Sequence, residues 1–249
     1  MMNIAEFLYG WNMESAELKQ KIETLATWIF ESSYLVVFTG AGISTESGLP
    51  DFRGPDGLWT RKARGLPVEQ MDFSKAEPNS GHMAIVELQN LQKLKFLISQ
   101  NVDNLHLKSG ISPEILAELH GNITKLRCDR CEFTIDNTGD EIRCPLCGGK
   151  FKPSVVNFGQ PLPQKDLAKA YYHSERSDLF IVVGSSLVVY PAADMPRVAL
   201  EHGARLVIIN QGKTPFDEVA HLLINEKIGL VLPHTVARLK ELLGDKNRE

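Results

Sequence analysis

A chain of 249 residues with 43% apolar content can bury a sizeable core, as one large domain or as a domain with a satellite. Its formal charge of -4 argues against a surface built to coat nucleic acid, which would carry a basic stripe. No run approaches the roughly 18 uninterrupted apolar residues of a membrane span, so none is expected.

Taken in chain order, the first dozen residues read as a loose end without a signal-peptide pattern. Leu18, Ile22, Leu25, Ala26 and Ile29 recur at helical spacing and predict an amphipathic helix over about 15–31. Tyr34 to Phe38 is a short apolar run that breaks at Thr39-Gly-Ala-Gly42, the pattern of a buried strand entering a glycine turn. Lys95–Ile98, Leu179–Val183 and Arg205–Ile209 are further buried-strand candidates, with helices expected near 82–92, 163–174 and 193–202. Apolar strands alternating with helices predict an α/β fold with a parallel sheet covered by helices on both faces. The charged tail Asp245 to Glu249 reads as the other loose end, and neither repeats nor low-complexity stretches are visible.

All four cysteines fall within twenty residues, as Cys128-x-x-Cys131 and, twelve residues on, Cys144-x-x-Cys147. Two such knuckles let four thiolates converge tetrahedrally on one Zn²⁺. Two disulfides or a redox dithiol are the rival readings, but no other cysteine exists and no export signal is visible, so a reducing, cytoplasmic setting with one structural zinc is expected. Four thiolates close the metal's shell, which places the chemistry elsewhere. Because the cysteines interrupt the strand–helix series between about 125 and 152, they should form a small inserted lobe.

Gly40-Ala-Gly42 after a strand is similar to the start of a dinucleotide fingerprint, but Thr45 stands where a third glycine would be. A tight turn with no ligand explains it as well. The polar loop that follows, from Ser44 to Gly54, holds Asp51 and Arg53 two residues apart at the carboxyl end of a strand, where open α/β sheets bind ligands.

The run Gly40 to Arg53, then Gln100-Asn-Val-Asp-Asn-Leu-His106, Leu119-His-Gly121, the four cysteines, Val155-Val-Asn-Phe-Gly159 and Gly184-Ser-Ser-Leu187 resemble, in order, the motif series of the sirtuins, NAD-dependent protein-lysine deacylases. The resemblance spans roughly residues 35–233. It implies a Rossmann-like NAD-binding domain over 1–124 and 153–249, a zinc lobe over 125–152, and a cofactor and acyl loop region over 54–80. NAD and an acyl-lysine protein would enter the cleft between the two parts from opposite sides.

By the same resemblance, Gly40, Ala41, Gly42, Thr45, Asp51, Phe52 and Arg53 belong to the loop around the NAD pyrophosphate and ribose, where a guanidinium suits phosphate. Gln100, Asn101, Val102 and Asp103 would line the nicotinamide end, with Asp103 accepting from the carboxamide. Gly184, Ser185, Ser186 and Asn210 would hold the adenosine half, and Ile228 would flank the adenine. Without the resemblance, the two serines read equally as helix caps and Asn210 as a turn residue. Val156 and Phe158 would contact the acyl-lysine, and the backbone near Gly159 and Leu187 would clamp the peptide as an added strand.

His120 is the expected general base, since imidazole titrates near neutrality. The implied reaction joins the acyl oxygen to the anomeric carbon of the nicotinamide ribose as nicotinamide leaves, with Asn101 and Asp103 giving polar support. His120 then activates a ribose hydroxyl, and lysine and O-acyl-ADP-ribose are released. His82 and His106 read as fixed hydrogen-bonding groups, while His173, His202, His221 and His234 form no usable arrangement.

Gln160 stands where many sirtuins have glutamate, and only 46 residues lie between Arg53 and Gln100. The stretch Gly57 to Gly65 resembles the class IV branch, in which Leu58 and Trp59 would line an acyl tunnel and Trp59 would also belong to the cofactor-binding set. Acetyl and longer acyl groups both remain open, as does mono-ADP-ribosyl transfer. A zinc-containing dehydrogenase, or a zinc-ribbon adaptor using Lys125, Arg127, Arg130, Lys150 and Lys152, explains fewer of the motifs; no clear nucleic-acid site is expected, and the oligomeric state is left undetermined.

Overall fold

The structure, a computed structural model, describes residues 15–68, 72–139 and 143–246. Helix α1 (Ala16–Glu31) begins where the Ser15 hydroxyl oxygen accepts from the Leu18 amide at 3.2 Å, and it buries the stripe of five residues that the sequence marked. Strand β1 (Leu35–Thr39) is buried at all five positions, as a strand covered on both faces requires. A 3-10 turn over Ala41–Ser47 and a short helix α2 (Leu58–Ala63) follow. Then come α3 (Ser80–Asn90), β2 (Leu94–Ser99), α4 (Leu105–Ser109) and β3 (Leu116–Glu118).

Three short strands, β4 (Lys125–Cys128), β5 (Thr134–Asp136) and β6 (Phe151–Pro153), carry the chain through the cysteine region. It returns through α5 (Gln164–Arg176), β7 (Leu179–Val183), α6 (Met195–Glu201), β8 (Arg205–Ile209), β9 (Leu222–Ile224) and α7 (Ile228–Lys246).

Six strands form one parallel sheet in the order β3-β2-β1-β7-β8-β9, and β5-β4-β6 form a separate antiparallel sheet. The fold is therefore α/β, as the alternation predicted. Successive side chains of the central strands feed opposite cores. Val37, Ile181 and Val207 pack with α1, α3 and α7, whereas Val36, Phe180 and Leu206 pack with α5 and α6. Each large apolar side chain buried in this way stabilises by about 1.5–3 kcal/mol. The winding reverses between β1 and β7, which opens a crevice at their carboxyl ends, the place where such sheets bind ligands.

Helix α7 was not predicted, and the charged tail expected to be loose is helical as far as Lys246. Val231, Leu232, Val236 and Leu239 do repeat at helical spacing, but Pro233 sits inside the run and normally ends a helix. Proline removes the amide that would bond to the Gly229 carbonyl, and the Ser80 hydroxyl donates to that carbonyl instead, at 3.4 Å. Among the described residues, no helix is long and apolar enough to cross a membrane. The expectation for the first dozen residues lies outside the described residues.

Candidate active site

The carboxyl ends of β1 and β7 meet closely, and glycine makes the meeting possible. The Gly42 amide donates to the Gly184 carbonyl at 2.8 Å, and a Cβ on either Gly40 or Gly42 would stand 2.7 Å from Gly184 backbone atoms. The glycines thus lock two strand ends together as well as lining the cleft above them. That cleft, of about 1780 Å³, exceeds the roughly 300–1,000 Å³ typical of a single-ligand pocket, so it has room for two ligands.

On its floor, Ser44 bridges two residues from the end of β2. Its hydroxyl donates to Asp103 Oδ2 at 2.6 Å and accepts from Asn101 Nδ2 at 3.1 Å, while Asp103 Oδ1 accepts from the Leu105 amide at 2.9 Å. Asn101 Oδ1 is buried with no hydrogen-bond partner among the described residues. A buried acceptor left open is costly, so this atom fits a ligand that brings an N–H or O–H group. Ser44 was not singled out in the sequence; only its place in a polar loop hinted at it, because its partners lie 57 and 59 residues away.

Loop 43–47 is held from behind by Asn79. Its amide nitrogen donates to the Ile43 carbonyl at 2.7 Å and to Ser47 Oγ at 3.0 Å, while its carbonyl oxygen caps α3. His82, pushed down to about 4 by burial against an opposing pull from Asp103, completes that cap. His106 accepts or donates at Thr39 Oγ1 across 2.9 Å, and burial holds it well below the usual imidazole range. Both are fixed, neutral groups, as the sequence suggested.

His120 lines the cleft, and its Nδ1 lies 2.8 Å from the Gln100 carbonyl oxygen. A carbonyl only accepts, so Nδ1 carries the proton and Nε2 keeps its lone pair. Burial pushes the imidazole below its ordinary range, partly offset by the Gln100 bond, which leaves a neutral base at pH 7. The Gln100 side chain in turn donates to Ser185 Oγ at 2.7 Å.

At one wall, the Arg53 guanidinium stacks over the Trp59 ring at 4.1 Å and reaches Ser186 Oγ at 3.5 Å. The Trp59 ring lies 5.4 Å from Phe52 and 5.6 Å from Phe158. Asp51 turns inward on its own loop: its Oδ1 accepts from the Gly54 amide at 2.9 Å, and its backbone carbonyl accepts from Leu58 at 2.8 Å. Ala41, Thr45, Val102, Ser186, Asn210 and Ile228 line the cleft as well, and the Asn210 amide donates to the Gly212 carbonyl at 2.8 Å.

Val156, Phe158 and Gly159 line the cleft beyond Trp59, and the Val156 amide donates to the His120 carbonyl at 2.9 Å. Leu187 was expected to offer its backbone, not its side chain. A left-handed backbone, φ 54°, turns its side chain into the core beneath the cleft, where it is fully buried, and Val188, Val189 and Tyr190 line the wall instead.

The four cysteines offer sulfurs that all lie within 4.8 Å of one another. Cys128 and Cys147 are 3.5 Å apart, as are Cys131 and Cys144. A tetrahedral Zn²⁺ with Zn–S bonds of about 2.3 Å places its sulfurs about 3.8 Å apart, so the donor set fits the metal. The Arg130 amide points at Cys128 Sγ from 3.5 Å, which favours a thiolate there. Glu132, beside Cys131, accepts from the Gln164 and Lys165 amides at the start of α5 and ties this region to the large sheet's helices. The basic residues do not form one open face, since Lys125 lies 3.4 Å from Glu118 and Arg127 is half-buried.

The Sir2 family profile matches residues 40–70 and 66–191. A rice (Oryza sativa subsp. indica) protein named NAD-dependent protein deacetylase SRT1 is 44% identical over 86% of this chain and 47% of its own length. The protein named NAD-dependent protein deacylase 2 from Archaeoglobus fulgidus is 42% identical over 92% of this chain and 100% of its own. The chain spans about half the length of the rice protein and of its Arabidopsis thaliana counterpart, 47% and 50% respectively. Among solved structures, a Sir2 enzyme studied for mechanism and regulation has a TM-score of 0.73 at 40% identity, covering 90% of this chain and 99% of that one. A Sir2 protein bound to a myristoylated histone peptide has a TM-score of 0.68 at 38% identity, covering 91% and 99%.

Proposed function

This chain belongs to the Sir2 family, and on that premise we propose that it is an NAD-dependent protein-lysine deacylase. The observation that carries the reading is a neutral His120, its Nδ1 proton committed to Gln100, facing a cleft whose floor is the Ser44–Asn101–Asp103 network. Relatives named deacetylase and deacylase support both the acetyl and the longer-acyl form of the activity.

NAD, when bound, supplies an electrophilic anomeric carbon and a nicotinamide leaving group. The chain's residues then have distinct duties. Arg53, stacked on Trp59 at the cleft wall, would hold the pyrophosphate, which its planar fork matches. Asn101 Oδ1 and the Asp103 carboxylate orient the amide end of the dinucleotide, with Ser44 holding both side chains in place. His120 Nε2, which keeps its lone pair, would take a proton from a ribose hydroxyl. The amides of Phe158, Gly159 and Val188, which have no hydrogen-bond partner among the described residues, are available to pair with an extended peptide. Cys128, Cys131, Cys144 and Cys147 would hold one zinc that only shapes the 125–153 region. Four free thiols also support a reducing, cytoplasmic setting.

The test is incubation with NAD and acetyl-, succinyl- and myristoyl-lysine peptides, following nicotinamide and O-acyl-ADP-ribose by mass spectrometry. Acyl-dependent formation of both products is expected. NAD turnover without transfer of the acyl group would overturn the reading.

A further inference from the structure

The cleft is divided by charge. Its ionisable lining residues lie on the 46–75 segment, at Asp103 and on 213–227, apart from His120 at the centre and Tyr190. Two segments that line it, Ser154 to Pro163 and Gly184 to Ala193, contain no acidic or basic residue, and the charged segment meets them only at their edge, where Arg53 lies 3.5 Å from Ser186 Oγ and Trp59 5.6 Å from Phe158. Three apolar side chains of these segments that line the cleft are left open to solvent, Phe158 at 79%, Tyr190 at 62% and Val188 at 42%, as is Ile123 at 41%. Exposed apolar groups lining one cleft mark a surface that something covers. Gln160 adds no charge, and its carbonyl oxygen is already occupied by the Asn157 amide at 2.9 Å.

We infer that these two segments of the cleft select acyl-lysines whose neighbouring residues are uncharged and apolar, with Val188 and Tyr190 as the specificity-determining side chains. The inference rests on the deacylase reading above. An arginine or glutamate beside the acyl-lysine would give up water and meet no opposite charge from these two segments, whereas a leucine or phenylalanine would cover Val188 and the Tyr190 ring. Free backbone amides at Phe158 and Val188 fix the peptide in an extended form, so that flanking side chains alternate toward and away from these segments.

The experiment compares acetyl-lysine peptides of one length with Phe/Leu, Ser/Gly, Arg/Lys or Asp/Glu flanks. Nicotinamide release gives kcat/KM, and fluorescence polarisation of labelled peptides with ADP-ribose present gives binding independently of turnover. Apolar flanks should exceed both charged sets by about tenfold, chiefly in KM and in affinity, as expected for covering one or two such side chains. Raising salt should leave that ratio unchanged, because no charge on these two segments is there to be screened. Tyr190→Glu and, independently, Val188→Asp should each bring Arg/Lys peptides level with or above the apolar set. Equal affinity for all flanks, or a preference for charged ones in the wild-type chain, would overturn the inference. Absence of nicotinamide release from every peptide, with the affinity ranking intact, would instead sink the deacylase reading alone.

Discussion

His120 Nδ1 and the Gln100 carbonyl oxygen, 2.8 Å apart, fix which imidazole nitrogen faces the cleft, and Gln100 is itself pinned through Ser185. The tautomer is therefore set by the backbone at the end of β2 and by the turn after β7, on both sides of the crevice.

His120→Ala should slow deacylation by about 10²–10⁴ while leaving NAD binding and folding in place. Exchange of labelled nicotinamide into NAD should persist, since the base acts afterwards. In the wild-type chain, burial holds His120 below 6.5, so activity should be flat through pH 7 and fall only on acidification below that value as the imidazole takes a proton. Near-normal deacylation by the variant, or an acid limb above pH 7, would remove His120 from this role.

Ser44→Ala should impair nicotinamide exchange itself. It strips a 2.6 Å bond from a buried carboxylate and a partner from Asn101 at once. Leaving such groups unpaired costs about 1–3 kcal/mol, or roughly a factor of 5–150 in exchange rate. Because exchange and deacylation separate in the His120 variant but fall together here, the two measured side by side distinguish a base from a positioning group.

Metal analysis should return one zinc per chain. Chelation should abolish activity and selectively unfold the 125–153 region, because thiolate–zinc binding on the order of 10–16 kcal/mol is coupled to folding in small modules. The loss should be followed by circular dichroism and by proteolysis within this segment. A metal-free sample that stayed folded and active would contradict it.

Asp166, on α5, is half-buried, and burial pushes its carboxyl up to about 6 despite nearby Arg127 and Lys169. A folded-state value above the unfolded one means that ionisation opposes folding. The penalty is absent when both states are protonated, builds as pH rises from about 4 to about 6, and is constant above that. Asp166→Asn should therefore stabilise by about 1–3 kcal/mol at pH 8 and by less at pH 5, read by urea denaturation with zinc present. An equal gain at both pH values would show that charge is not the cause.

Much of this was readable in the sequence where a pattern repeats locally. The α1 stripe, the apolar runs of β1, β7 and β8 and the cysteine spacing each need only a short window, and each is found where the pattern placed it. Short β3 and β9, three residues each, carry too little periodicity to announce themselves. Ser44 and Asn79 stayed hidden for a different reason, since their partners come from distant strands and loops and only the closed fold brings them together. The left-handed turn at Leu187, which buries its side chain, was not announced either, a matter of backbone that residue type does not declare.

Gly229 stands between Glu46, which accepts from its amide at 2.9 Å, and Ser80, which donates to its carbonyl. The turn above β1 is thus buttressed by the last helix of the chain rather than by anything near it in sequence. A nascent polypeptide emerging from the ribosome has both strand ends of the crevice and the cysteine knuckles long before it has this buttress, and until then the apolar faces of α1 and α3 lack their cover. Assembly of the cleft accordingly waits on α7, and truncations that remove this helix act on it at a distance.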